Sequence, residues 1–127
     1  MINFNRDSVF NLKPIDLREV RDEVSGLLIP EEVMICAFRT IRDQLIFTNK
    51  RIISVDVQGF TGSRRSYASL PYSQVQYFVV QTPSVAEIIP DSELMLVFAN
   101  GMTTHFEFKG SVDIGLIGRM ISEYVLK

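Results

Sequence analysis

Leu94, Leu96 and Phe98 occupy every second position ahead of Asn100-Gly101, and Thr104, Phe106 and Phe108 do the same behind it. A period of two places each set on one face of an extended strand. Two such runs around Asn-Gly read as a β-hairpin, with arms Glu93 to Ala99 and Met102 to Phe108. The Asn-Gly pair suits a type I′ turn.

The same β-rich texture extends back to Glu32. Val33 to Ile41, Leu45 to Phe47, Arg51 to Val57, Arg64 to Leu70 and Tyr77 to Thr82 are short runs separated by turn residues. Thr48-Asn49-Lys50 reads as a tight turn, and Gln58 to Ser63 as a glycine-containing loop. Pro71 stops the fourth run, and Pro83 to Ser92 reads as a loop with two prolines.

Helical spacing flanks this region. Asp16 followed by Glu19 has capping-box spacing. Leu17, Val20, Val24, Leu27 and Leu28 then recur at three- and four-residue steps, predicting an amphipathic helix that ends before Pro30. Residues ahead of Pro14 show no period and read as an irregular arm. At the other end, Ser111 is placed to cap a helix running to about Leu126. Leu116, Ile117, Met120, Ile121, Tyr124 and Val125 form its apolar face. Gly115 and Gly118 each weaken it by about 1 kcal/mol against alanine, so packing must hold it, and they permit close approach to a sheet.

Helix, seven or so sequential antiparallel strands, then a helix describes an α+β, mainly β, chain. Strands this short curl into a barrel or two near-orthogonal sheets, with the last helix plugging one open end. At 127 residues and 46% apolar, the chain is one domain's worth. We divide it into an arm and amphipathic helix over 1–30 and a globular unit over 31–127. No stretch is long and apolar enough for a membrane span. A single cysteine suits a reducing cytoplasm, and a pI near 5.4 argues against nucleic-acid binding.

Phe47-Thr48-Asn49-Lys50-Arg51-Ile52-Ile53, then Asp56-Val57-Gln58-Gly59-Phe60-Thr61-Gly62, then Ser69-Leu70-Pro71-Tyr72-Ser73 resemble the bacterial pleckstrin-homology-like domain family. Phe106-Glu107-Phe108-Lys109 and Tyr124-Val125-Leu126 fit the same pattern, so the resemblance runs from about Asp16 to the C-terminus. It implies the pleckstrin-homology barrel: two near-orthogonal sheets of seven strands closed by a C-terminal helix. It further implies a prokaryotic protein prone to form ring-shaped homo-oligomers. The chain departs from the family pattern over Pro83 to Ser92, and has Ser63 where lysine is common.

Catalytic signatures are sparse. His105, the sole histidine, should point outward and has no nucleophile near it in sequence; Cys36 reads as a small buried residue. Gly59 to Ser63 lacks the spacing of a phosphate-binding loop and is followed by a strand, so it reads as a β–β connection. Glu31-Glu32 and Asp91/Glu93 read as solvated turn carboxylates. Zinc needs three or four ligands, and no metal or cofactor is expected.

Charge, however, is uneven. Residues 36–70 hold six basic side chains (Arg39, Arg42, Lys50, Arg51, Arg64, Arg65) against Asp43 and Asp56, in a chain of net charge −2. Lys50, Arg51, Arg64 and Arg65 are the candidate anion-binding residues. The expected function is a non-enzymatic, self-associating scaffold that docks a protein partner. The alternative is weak binding of anionic lipid or a phosphorylated ligand through the basic segment. Self-association rests here on the N-terminal helix, which is surplus to the barrel and must bury its apolar face on its own sheet or on a neighbouring copy.

Overall fold

The structure, a computed structural model, describes residues 8–82 and 91–126. Eight strands occur in chain order: β1 (Ser8–Ile15), β2 (Met34–Arg39), β3 (Gln44–Thr48), β4 (Arg51–Gln58), β5 (Arg64–Pro71), β6 (Val75–Gln81), β7 (Ser92–Phe98) and β8 (Thr103–Phe108). The helices are a single turn, α1 (Asp22–Ser25), and the closing α2 (Ile114–Val125). The loop expected over 83–92 lies outside the described residues up to residue 90.

The strands form one sheet in the order β5-β4-β3-β2-β1-β8-β7-β6. Against the expected two near-orthogonal sheets of about seven strands and an irregular arm over 1–13, β1 is an eighth strand that joins the two halves into one continuous sheet. Its first part runs parallel to β8, pairing Val9 with Phe106 and Leu12 with Phe108. Its last part runs antiparallel to β2, pairing Lys13 with Arg39 and Ile15 with Ala37. Asn11 takes a left-handed backbone (φ 63°) between the two, where the register shifts. The extra residue bends the strand and lets it belong to both halves.

The hairpin between β7 and β8 stands where its alternation put it, but its turn differs. Of the turn pair only Gly101 has positive φ (88°), whereas a type I′ turn needs it at both central residues. Gly101 N donates to Phe98 O at 2.9 Å and Phe98 N to Met102 O at 2.8 Å, giving a three-residue loop that ends in a left-handed glycine.

Two apolar layers flank β2 to β4, as alternation requires. Phe38, Leu45, Phe47 and Ile52 face inward to a core shared with β7, β8 and α2, built on Leu94, Leu96, Phe106, Phe108, Ile117 and Ile121. Ala37, Ile46, Ile53, Val55 and Val57 face the other way and are covered by Val20 and Val24, with Leu17 and Leu28 beside them. The surplus N-terminal segment thus buries Val20 and Val24 on its own sheet, while Leu27 stays exposed.

That segment is not the helix expected over 16–30. It is a 3-10 turn at Leu17–Glu19, an extended step through Val20 and Arg21, and then α1. The capping box is present, with Asp16 Oδ1 accepting from Arg18 N and Glu19 Oε2 from Asp16 N, both at 2.9 Å. The break after it is held from a distance. Gln44 accepts from Arg21 N and donates to Glu19 O, both at 3.0 Å, giving those backbone groups the partners a continuing helix would have supplied.

At the C-terminal end the cap is Asp113, which accepts from Leu116 N, rather than Ser111. α2 lies against β6, β7 and the Tyr72–Gln74 turn, with Tyr124 stacked on Tyr72 at 5.4 Å. Leu116, expected on the buried face, is exposed. Gly118 is the close-approach glycine: a Cβ there would sit 2.9 Å from Val80 Cγ1.

Candidate functional site

The four candidate anion residues do not come together. Lys50 and Arg51 lie at the β3–β4 turn, while Arg64 and Arg65 pair with Gln58 and Val57 at the far end of β4. Six residue steps along the strand separate Arg51 from Val57, about 20 Å at about 3.3 Å per step. Arg65 is bound to Glu23 at 3.1 Å, whereas Arg64 is exposed and makes no ion pair among the described residues.

Arg51 is a structural residue. Its Nε and Nη2 donate to Glu32 Oε2 and Oε1, each at 3.0 Å, its Nη2 also to Leu27 O at 2.6 Å, and its Nη1 to Ser69 Oγ at 2.9 Å. Glu32 was read as solvated, yet its side chain is wholly buried. Thr48 Oγ1 donates to Glu32 Oε2 at 2.6 Å. Burial alone would push the Glu32 carboxyl up, but bonds from Arg51, Thr48 and the Ile29 amide outweigh it and hold it below its ordinary range. Asn49 completes the knot, accepting from Val33 N at 2.8 Å and donating to Glu31 O at 3.1 Å. The Thr48-Asn49-Lys50-Arg51 motif therefore fastens residues 27–33 to the sheet.

The opposite end of β4 gathers other cations. The Thr40–Asp43 turn and the Gly59–Ser63 loop lie side by side, tied by Arg42 Nη2 donating to Gly59 O at 2.6 Å. Ile41 and Phe60 are fully exposed at these two tips, next to Arg39, Arg42 and Arg64. Gly59 and Gly62 have positive φ (85° and 71°), which a tight β–β loop requires and no phosphate cradle explains.

The candidate chemical groups are held by structure. His105 is half-buried, with Nε2 3.3 Å from Glu93 Oε1 and its ring edge-on to Phe10. Asp91, also read as solvated, is paired with Lys109 at 3.1 Å. Cys36 is partly buried, and burial pushes its thiol up to about 11. It lines an apolar groove of about 660 Å³ between α2 and β2, with Phe38, Val112, Leu116 and Met120. Among the described residues no cluster of His, Cys, Asp and Glu could hold a metal ion, and no helix is long and apolar enough to cross a membrane.

The two ends of the sheet contrast sharply. β5 is blunted by Arg64, Arg65 and Pro71. β6 carries no charge, proline or glycine, and exposes Tyr77 (54%), Val79 (44%) and Val80 (38%). Sequence reasoning placed a strand here but could not show that it is an edge, because strand order is not local information.

A sheet curled about one core and closed by a C-terminal helix is the architecture of a pleckstrin-homology-like domain. The Bacterial PH domain family matches residues 3–125, and the chain belongs to that family. It is similar to YjqA of Bacillus subtilis (strain 168), 35% identical over 86 residues, covering 68% of this chain and 67% of the relative. A crystal structure of a DUF1696 family protein with a pleckstrin-homology domain, from Shewanella loihica PV-4, matches with a TM-score of 0.73. The two are 31% identical over 92% of this chain and 99% of that one. A pleckstrin homology domain from Shewanella amazonensis SB2B matches at 0.65, 32% identical over 89% and 90% of the two chains.

Proposed function

We propose that this protein is a non-enzymatic, cytoplasmic module that self-associates through the β6 edge and offers its remaining surface to a protein partner. The observation that carries this reading is that, among the described residues, no strand pairs with the outer edge of β6. A strand at the end of a sheet presents unpaired N–H and C=O groups, and proteins that stay monomeric blunt such edges with charge, proline or a bulge. β5 has the first two devices; β6 has neither of those, and its only irregularity among the described residues is a register shift between Val75 and Tyr77 at its start. Val20 and Val24 of the N-terminal segment are buried at home, so the reading rests on β6 and not on them. Sedimentation velocity across protein concentration is the test. A mass rising above the 14.5 kDa of one chain is expected, and a strict monomer at all concentrations would remove the reading.

A second reading is favoured by the exposed Ile41 and Phe60 beside Arg39, Arg42 and Arg64. Apolar tips within a basic collar fit an anionic lipid surface, each nearby cation contributing about 1 kcal/mol. Arg64 keeps a place in it; Arg65, paired with Glu23, and Lys50 and Arg51, at the other end of the strand, do not. Co-sedimentation with anionic vesicles at low salt, lost at high salt, is its expected result; absence of binding at both would end it.

A further inference from the structure

We infer that Asn100 is a site of spontaneous covalent modification, its side-chain amide closing on the Gly101 backbone nitrogen, losing ammonia and opening to an acid. The inference is independent of the assembly proposed above. It rests on the geometry of the turn between β7 and β8.

Asn100 and Gly101 are both exposed at the tip of that hairpin. Asn100 Oδ1 accepts from Met102 N at 3.0 Å. A side-chain oxygen bonded two residues on makes an Asx turn, which folds the side chain back along the intervening backbone. The Asn100 carboxamide therefore lies alongside the Gly101 nitrogen, and holding two reacting groups together removes much of the entropic part of a barrier.

Three further features favour the attack. Gly101 has no Cβ to crowd it, and the space around its backbone is open. The Met102 N–H on Oδ1 polarises the Cγ carbonyl and faces the negative charge that develops on that oxygen during addition. The leaving group is unrestrained, because Asn100 Nδ2 makes no hydrogen bond among the described residues. One feature opposes it. Gly101 N donates to Phe98 O at 2.9 Å, so its proton must be drawn out of that bond before the nitrogen can react.

Hydroxide takes the Gly101 amide proton and becomes water. The freed nitrogen bonds to Cγ, the Cγ–Nδ2 bond breaks, and ammonia leaves with a proton taken from water. A cyclic imide remains. Water opens it at Cγ to give aspartate, or at the Asn100 main-chain carbonyl to give isoaspartate. The sum is one water consumed and one ammonia released, with nothing oxidised or reduced. Aspartate keeps an oxygen for Met102 N. Isoaspartate routes the main chain through Cβ and Cγ, and that added carbon strains the Gly101 N to Phe98 O and Phe98 N to Met102 O bonds.

Asn49 supplies a contrast within the same chain. Its Oδ1 accepts from Val33 N at 2.8 Å, and its Nδ2, the would-be leaving group, donates to Glu31 O at 3.1 Å. The residue after it is Lys50, whose side chain hinders the backbone nitrogen.

Peptide mapping by mass spectrometry, with enzymatic methylation of isoaspartate, tests the site on the full chain. Folded and guanidinium-denatured protein are incubated in parallel at mildly alkaline pH. In the folded chain, acid should form at Asn100 at least tenfold faster than at Asn49 or Asn11. Its rate should also stay within tenfold of the denatured rate and rise with hydroxide. The separated isoaspartate form should exchange the amides of Leu96 to Thr104 faster than Asn100→Asp does. Folding that slows Asn100 more than tenfold would show that the Phe98 bond dominates and would overturn the inference, as would an unmodified Asn100. Equal exchange in the two acidic forms would overturn the strain assigned to the turn.

Discussion

Glu32 and Arg51 meet in a two-bond ion pair, both contacts at 3.0 Å, with the carboxylate side chain wholly buried. The pair joins the segment leading into β2 to the first residue of β4, and Arg51 also holds Leu27 O, the end of the covering segment. Removing one partner strands the other in a dry site, which costs about 3–5 kcal/mol. Glu32→Gln should lose about 3 kcal/mol at neutral pH by urea unfolding, and Glu32→Gln with Arg51→Met should recover part of it. The Glu32 carboxyl titrates lower in the folded chain than in the unfolded chain. Its stabilisation is therefore complete above the ordinary carboxylate range, near about 4.3, and is lost as pH falls through the lower folded value. The gap between wild type and Glu32→Gln should narrow in acid. An equal gap at pH 7 and pH 3 would contradict this account.

Gly118 and Gly115 should respond to alanine with opposite signs. Alanine gains about 1 kcal/mol of helix propensity at either position. At Gly118 the new Cβ meets the stiff Val80 side chain at 2.9 Å, and overpacking of this kind typically costs about 1–3 kcal/mol. At Gly115 the nearest neighbour is Asp113 Oδ1 at 3.4 Å. Thermal unfolding should show Gly115→Ala at or above wild type and Gly118→Ala below it.

Val24 tests whether the N-terminal segment is core or interface. It is fully buried against Val55 and its neighbours, so Val24→Ala should cost about 2 kcal/mol of stability. The sedimentation behaviour of the folded variant should match wild type. A change in assembly with unchanged stability would restore the segment to the interface.

Cys36 should be a sluggish thiol. With its pKa pushed up to about 11, about a thousandth is thiolate at pH 8, against about a quarter for a free cysteine. Modification by an aromatic disulfide reagent should run at least tenfold slower in the folded protein than in urea. Equal rates would place the thiol in open water.

Much of this fold could be read from local pattern, and the misses share one cause. The strands from β2 to β8 carry alternation, turn residues and β-branched side chains, all of them short-range signals. β1 escaped because the left-handed Asn11 breaks the period of two, leaving Val9 and Leu12 both buried three residues apart. The helix over 16–30 was over-read because Val20 and Val24 have helical spacing, while the side chain of Gln44, more than twenty residues away, holds the chain out of helix between Glu19 and Arg21. Arg51 passed for a free cation because its partner, Glu32, lies nineteen positions upstream in what read as a solvated turn. The site was less accessible still. Composition could show that β6 has no charge, but its place at the end of the sheet follows from the pairing of all eight strands.

Hydrogen exchange at the two sheet edges, measured by mass spectrometry as protein concentration is raised, bears most directly on the role given to β6. Amides of Val75 to Gln81 should gain protection with concentration while those of Arg64 to Pro71 do not. Exchange of β6 at one fast rate across the whole range, or protection arising at β5 instead, would contradict it.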